Sequence, residues 1–311
     1  KPRDLLPLGV WADVLLGGVG VAWFALVVWA GLTGTFVATA NLAPTAVWVL
    51  FWVGMPLCSA LFGDVFRLLS PWRSVARAFG WVAAKAMPDG LPEPKAWPVR
   101  LGRLPAAAGL LAMGWLELAS VSRDDPAALA WLALGYAAVQ LLGMSAFGVE
   151  QWSTNGDSFG TAFSLIAKLS AFERVEGRLQ IRVPLSGLAR LPRVGWTQLL
   201  LLTVIGTTSF DGFTQGPLWG DAAPWLSRQA EALGFAPTAA AEAASTIGLL
   251  GAIGAVAAIW FGGVRFSAAD LGVGIREAGN SFVQVLVPIA LAYTCLLYIS
   301  DAADDTPCVD L

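Results

Sequence analysis

The chain has 311 residues, a net charge of −3, 57% hydrophobic and 13% charged residues, and a mean hydropathy of +0.67. Soluble domains carry about 25% charged residues, so half that share together with several long apolar runs places the chain in the membrane class. The lack of any histidine excludes that residue as a haem, zinc, copper or iron ligand and as a general base, and no long basic tract offers a footprint for nucleic acid.

The chain opens Lys1-Pro2-Arg3 without an initiator Met, so a longer N-terminus is expected. The first apolar run, about 14–36, shows no small-residue cleavage site behind it and reads as a spanning helix rather than a signal peptide. Its Gly17, Gly18, Gly20 and Gly31 predict a face on which another helix approaches closely. A second span is expected over about 45–62. Ser70-Pro71 then reads as an N-cap followed by proline at the first helical position. Trp72, Val75 and Phe79 recur at helical spacing behind it, which predicts an amphipathic helix lying in the interface. Met87 to Pro98 holds Pro88, Pro92, Pro94 and Pro98 and reads as a loop.

Spans three and four are expected over about 104–121 and 127–147, the first carrying Glu117 and the second Gln140. The short loop Arg123-Asp124-Asp125-Pro126 makes them an antiparallel hairpin. In the polar stretch that follows, Asn155-Gly156-Asp157-Ser158 reads as a turn and N-cap. Phe159, Phe163, Ile166, Leu169 and Phe172 then predict a second interfacial helix. Polar and apolar residues alternate from Arg178 to Val183, as in a short strand or extended segment.

Span five is expected over about 196–213, breaking down from Gly206 to Gly212, and Gly216 to Pro237 reads as a loop whose Trp219 and Trp225 suit an interfacial aromatic belt. Span six, about 239–261, carries Gly248, Gly251 and Gly254 as another close-packing face. Span seven, about 281–300, is uncharged but holds Gln284 and Pro288. In lipid Gln284 is expected to face other helices or a cavity, and Pro288 to kink its helix. The expected architecture is therefore all-α: a polytopic transmembrane bundle of about seven spans with two interfacial amphipathic helices, forming one integral membrane domain over 1–311.

Lysine and arginine number seven between spans two and three, six between four and five, and two between six and seven, whereas the opposite loops hold only Arg123 and Arg228. The positive-inside rule puts the N-terminus in the cytoplasm and the acidic C-terminal tail outside, in a cell inner (cytoplasmic) membrane.

Glu117, Asp211 and Glu242 are the candidate catalytic residues, since a carboxylate inside a span by default marks function or a partner. All three fall near the outer ends of their spans. Two readings stand: a shared outer cavity of proton acceptors, or interfacial residues that touch water or cap a helix. Asp64, Gln140, Asp157, Asn280 and Gln284 fall toward the cytoplasmic side, where Asp157 is most simply an N-cap, and Gln140 and Gln284 interhelical hydrogen bonds. Cys58 and Cys295 sit in apolar runs as packing residues, Cys308 sits in a polar tail, and the three lack metal-site spacing. No nucleophile elbow, Walker loop or zinc motif is present.

Arg3-Asp4-Leu5-Leu6-Pro7-Leu8, the run TAVWVLFW at Thr45–Trp52, Ser70-Pro71-Trp72-Arg73, Gly114-Trp115-Leu116-Glu117-Leu118, Phe210-Asp211-Gly212 and the stretch from Leu286 to Tyr293 occur in order over nearly the whole chain. As a set they resemble a bacterial polytopic membrane family whose members are commonly labelled fenitrothion hydrolase-like. The resemblance implies an integral membrane protein with organophosphate ester hydrolysis. This sequence departs from it near Asn155-Gly156-Asp157, at Gln284 and at Leu297, where histidine would be expected, and keeps Glu117 and Asp211 as the matching ionisable positions.

Three functions follow as expectations. The first is a non-catalytic accessory or scaffold subunit of a membrane complex, packed against other membrane subunits and lipid through its Gly-rich and Trp-rich faces. The second is a transporter or permease with a polar path near Glu117, Asp211 and Gln284. The third is a membrane-bound organophosphate ester hydrolase. No cofactor is expected, haem, zinc and copper included.

Overall fold

The computed structural model describes residues 3–7, 9–87 and 92–304, with side chains over 9–87 and 92–296. Pro88, Cys308 and the end of the acidic tail lie outside the described residues. Helix takes up 77% of the chain. Five helices are long and apolar enough to cross a membrane: α1 (Val10–Thr33), α2 (Leu42–Phe62), α6 (Pro126–Phe147), α11 (Pro237–Leu271) and the Ile275–Leu296 part of α12 (Ile275–Asp304). Only 17–33% of each apolar stretch is buried, so most of its apolar surface faces outward, as a hydrocarbon surrounding requires. The all-α membrane reading holds at this level.

The chain forms two compact units, one of residues 1–106 and 124–196 and one of 107–123 and 197–311. In the first, α1 packs on α6, and also on the short helices α3 (Val65–Leu69) and α4 (Pro71–Ala86). Glycine permits this. At Gly20 a Cβ would collide with the Leu69 carbonyl oxygen, and at Gly31 it would stand 2.6 Å from that of Pro126. Gly18, expected on the same face, is exposed instead. Within α2, Thr45–Gly54 winds as a π-helix.

Helices α7 (Val149–Asn155) and α8 (Ser158–Ile166) follow α6. The second of these is no half-exposed interfacial helix: Phe159, Thr161, Ala162, Phe163, Leu165 and Ile166 bury it on every side. A small antiparallel sheet of order β1-β3-β2 completes the unit, with β1 at Arg3–Pro7, β2 at Phe172–Val175 and β3 at Arg178–Ile181. The expected strand at Arg178 is β3. Its hairpin to β2 turns at Glu176 (φ 50°) and Gly177 (φ 77°), the positive-φ pair of a type I′ turn. Arg3↔Ile181 and Pro7↔Arg178 mark the ends of the β1 pairing.

In the second unit α9 (Thr197–Thr214) is the central helix, with Leu200, Leu201, Leu202, Ile205 and Phe210 buried. It packs against α11 and α12. The expected break at Gly206–Gly212 does not occur. Gly206 lets α11 approach, since a Cβ there would lie 2.7 Å from Cα of Ile253. Thr208 and Ser209 return their hydroxyls to carbonyls one turn back, which keeps polar side chains satisfied inside a helix. The expected loop from Gly216 is also helical, as α10 (Pro217–Ala232). Pro217 starts it at the first helical position, and Trp219 anchors it edge-on to Phe210 at 4.9 Å between ring centres. Helix α5 (Leu104–Leu118) precedes α6 in sequence, but from Ala107 it belongs to the second unit, whereas α6 belongs to the first.

Candidate functional site

The three candidate catalytic residues all fall in the second unit. Glu117, Asp211 and Glu242 are each half-buried. Glu242 Oε1 accepts the amide of Val121 at 3.0 Å, which ties α11 to the turn after α5. Its carbonyl accepts Thr246 Oγ1, which in turn accepts Trp115 Nε1 at 2.8 Å. At Glu117 and Asp211 the backbone carbonyls take Arg123 and Thr214 as donors. Among the described residues no group of three or more Asp, Glu or Cys side chains is placed to hold a metal ion. Gln284 is exposed on α12, whose buried face is Val283, Leu286, Val287 and Ala290. The inward orientation expected for it in lipid is thus absent within the chain, because the apolar residues of α12 take the packed side. Pro288 is half-buried inside α12, and Gln140 is buried and accepts Trp152 Nε1 at 2.7 Å, from α6 to α7.

A densely connected polar cluster lies in the first unit. Local sequence builds it through helix starts. Asp64 caps α3 by accepting Arg67 N at 3.3 Å, Ser70 caps α4 by accepting Arg73 N at 3.4 Å, and Asp157 caps α8 by accepting Gly160 N at 3.1 Å. Each cap satisfies an amide that its helix cannot pair internally. Asp157 does more. It is fully buried and also accepts Trp72 Nε1 at 2.7 Å and Tyr136 Oη at 2.9 Å, so it joins α4, α6 and α8 at one carboxylate. Phe66, Phe159 and Phe163 pack around Phe51 as the apolar wall beside it.

Beside Asp157, Glu150 on α7 gathers three guanidinium groups. Arg67 reaches Oε2 at 2.5 Å, and Arg73 and Arg77 reach Oε1 at 2.8 and 3.2 Å. Arg77 continues to Asp13 of α1 at 3.3 Å, and Arg174 of β2 pairs with the same carboxylate. A second knot joins Glu173 to Lys168 at 3.0 Å and to Arg182 at 2.6 Å. Arg182 also donates to the carbonyls of Ala167, Lys168 and Ser170.

The electrostatics separate two kinds of carboxyl. Burial pushes Asp64 and Asp157 above the usual carboxylate range, although hydrogen bonds and nearby arginines act against it. Burial also disfavours the charge on Glu150, but Arg73 and Arg67 outweigh it and hold the carboxyl below its usual range. Glu173 is lowered likewise by Lys168 and Arg182 against its burial. Burial lowers Arg73.

Sequence reasoning found the caps Ser70 and Asp157 but not their convergence. Arg67, Arg73 and Arg77 counted there as basic charges between spans two and three, with Arg73 also part of the Ser70-Pro71-Trp72-Arg73 motif, and no role was expected of Glu150 or Asp13. One signal was present: Arg73 and Arg77 are four apart, so they share a helix face and can clamp one acid.

No family model, curated protein or solved structure matches the chain.

Proposed function

We propose that the chain is a non-catalytic membrane subunit that docks other transmembrane helices. The observation that carries this is on α11. Gly251, Ala255, Ala258 and Gly262 are all exposed and follow one another at spacings of four, three and four residues, which aligns them in one stripe. A Cβ added at Gly251, Gly254 or Gly262 would meet nothing within 4 Å. Small residues in line are what a helix interface in lipid uses for close approach. Gln284 supports the same reading, since an amide exposed on a bilayer-crossing helix gains most by bonding a neighbouring helix.

In this reading the chain crosses a bacterial inner membrane seven times. Helix α9 adds one span to the five apolar helices, because a helix enclosed by protein needs no lipid-like surface, and α5 adds the other. The basic loops lie in the cytoplasm. Helix α4, whose Val75 and Phe79 are exposed, rests in the interface.

Affinity purification of the full chain from native membranes, followed by mass spectrometry, tests it. A stoichiometric membrane partner is expected, and Gly251→Leu with Ala258→Leu is expected to abolish its recovery while the chain still folds. Recovery of the chain alone, or of a partner indifferent to both substitutions, overturns the reading.

A further inference from the structure

Two polar atoms beside the Glu150 knot stand apart from its saturated hydrogen bonding. Arg73 Nε and Ser153 Oγ are buried with no hydrogen-bond partner among the described residues, and each residue is only 8% exposed. Both residues line one small cavity, together with Asp64, Arg67, Ser70 and Asp157. Its volume is about 10 Å³, which is room for one water molecule and for no organic ligand. A buried water is stable where it finds two to four polar partners, and this cavity supplies them.

We propose that this cavity is a proton-binding site built around one internal water, which Arg73 Nε and Ser153 Oγ hold between the carboxyl groups of Asp64 and Asp157. The four hydrogen bonds of the water are then filled. The water accepts from Arg73 Nε–H and from the protonated carboxyl of Asp64, and donates to Ser153 Oγ and to Asp157 Oδ2. Asp157 is the better anion of the two, because Trp72, Tyr136 and the Gly160 amide already donate to it. Asp64 accepts the Arg67 amide. One proton on the pair leaves a single carboxylate, so the site needs no further cation.

The surrounding charges are few and fixed. Arg67 comes from α3, Arg73 and Arg77 from α4, Tyr136 from α6, Glu150 from α7, and Lys168 from the turn after α8. Glu150 engages all three arginines, so their charge is already partly spent. Burial raises the pKa of both carboxyls, that of fully buried Asp157 and that of half-buried Asp64, which favours one proton shared by the pair. Losing it places two negative charges at the junction of α3, α4 and α8.

Infrared spectroscopy of the full chain in lipid nanodiscs tests this. At pH 7 the spectrum is expected to show a protonated-carboxyl C=O stretch that disappears in Asp64→Asn or Asp157→Asn and persists in Glu117→Gln. An isolated water O–H stretch that shifts in ¹⁸O-labelled water is expected beside it. If the Asn variants fail to fold, Ser153→Ala serves, because removing one acceptor of the water should move both bands. Absence of the carboxyl band at pH 7, its persistence in both Asn variants, absence of the water band, or bands unmoved by Ser153→Ala would overturn the proposal.

Discussion

The two units reach stability by different physical means. The first is joined through polar side chains: Asp157 holds three donors, Glu150 three guanidinium groups, and Arg182 three carbonyls. The second is joined through the lack of side chains. Gly206 admits the backbone at Ile253, Gly114 admits Thr207, and Gly248 admits the rings of Trp219 and Phe210. In a solvent without water the hydrophobic drive between helices vanishes, so a helical unit must find cohesion in hydrogen bonds or in close packing. The first unit adds close approach at Gly20 and Gly31 to its polar hubs, and the second adds the Trp115–Thr246 and Val121–Glu242 hydrogen bonds to its glycine contacts, so the units differ in emphasis.

The sharpest way to break the comparison is to remove the hub of the polar unit. Asp157→Ala deletes a cap, costing about 1 kcal/mol, and strands Trp72 Nε1 and the Tyr136 hydroxyl, each costing about 1–3 kcal/mol. A loss of roughly 3 kcal/mol or more is expected in denaturant unfolding of the purified chain. Gly206→Ala attacks the close-packed unit instead. Its Cβ would meet backbone that cannot swing aside, at 2.7 Å, so a loss of about 1–3 kcal/mol is expected in the same assay.

The pH dependence should distinguish the units by shape. Glu150 and Glu173 have lowered folded pKa values, so their contribution is complete above the ordinary carboxylate range and is lost as pH falls through those lowered values. Asp64 and Asp157 are raised, so they contribute most below the ordinary carboxylate range and progressively less as pH rises toward their raised values. The first unit is therefore expected to be most stable in mild acid. Hydrogen exchange on peptides from α8 and α4, followed against pH, reads this directly, and Glu150→Gln should flatten the acid limb by about 1 kcal/mol because the group is half-exposed. The smallest effect is at Gly251→Ala. Nothing lies within 4 Å of the new methyl, so thermal unfolding is expected to change by less than about 0.5 kcal/mol.

Much of this architecture was readable from the chain. Long apolar runs located the five spanning helices, although α11 runs on to Leu271 past the expected end at 261 and α12 starts at Ile275 before the expected 281, and Ser70-Pro71 and Asp157-Ser158 gave two helix starts, because those signals are local. The run Gly206–Gly212 misled for the opposite reason: its glycine and hydroxyls look like helix breakers until a neighbouring helix makes the glycine useful. Gly216–Pro237 misled in a similar way, since two tryptophans in a polar segment mark an aromatic belt as readily as a packed helix. The candidate site was the least legible part. Asp64, Arg73, Glu150 and Asp157 are scattered over more than ninety residues, and nothing in their spacing announces that three helix starts converge.

The interleaving of the two units has a consequence for synthesis. Residues 107–123 are made before the first unit is finished, yet the rest of their own unit begins only at residue 197. At about 5–20 residues per second, α5 leaves the ribosome on the order of 5–20 s before α9 does. Strand β1 waits longer still, since its partner β3 lies more than 170 residues downstream. For that interval α5 and the N-terminal strand have no partner from their own unit, and whatever holds them meanwhile, lipid, insertion machinery or chaperone, becomes part of the folding route. Truncation of the chain just after residue 196 should therefore leave α5 without the helices of its own unit.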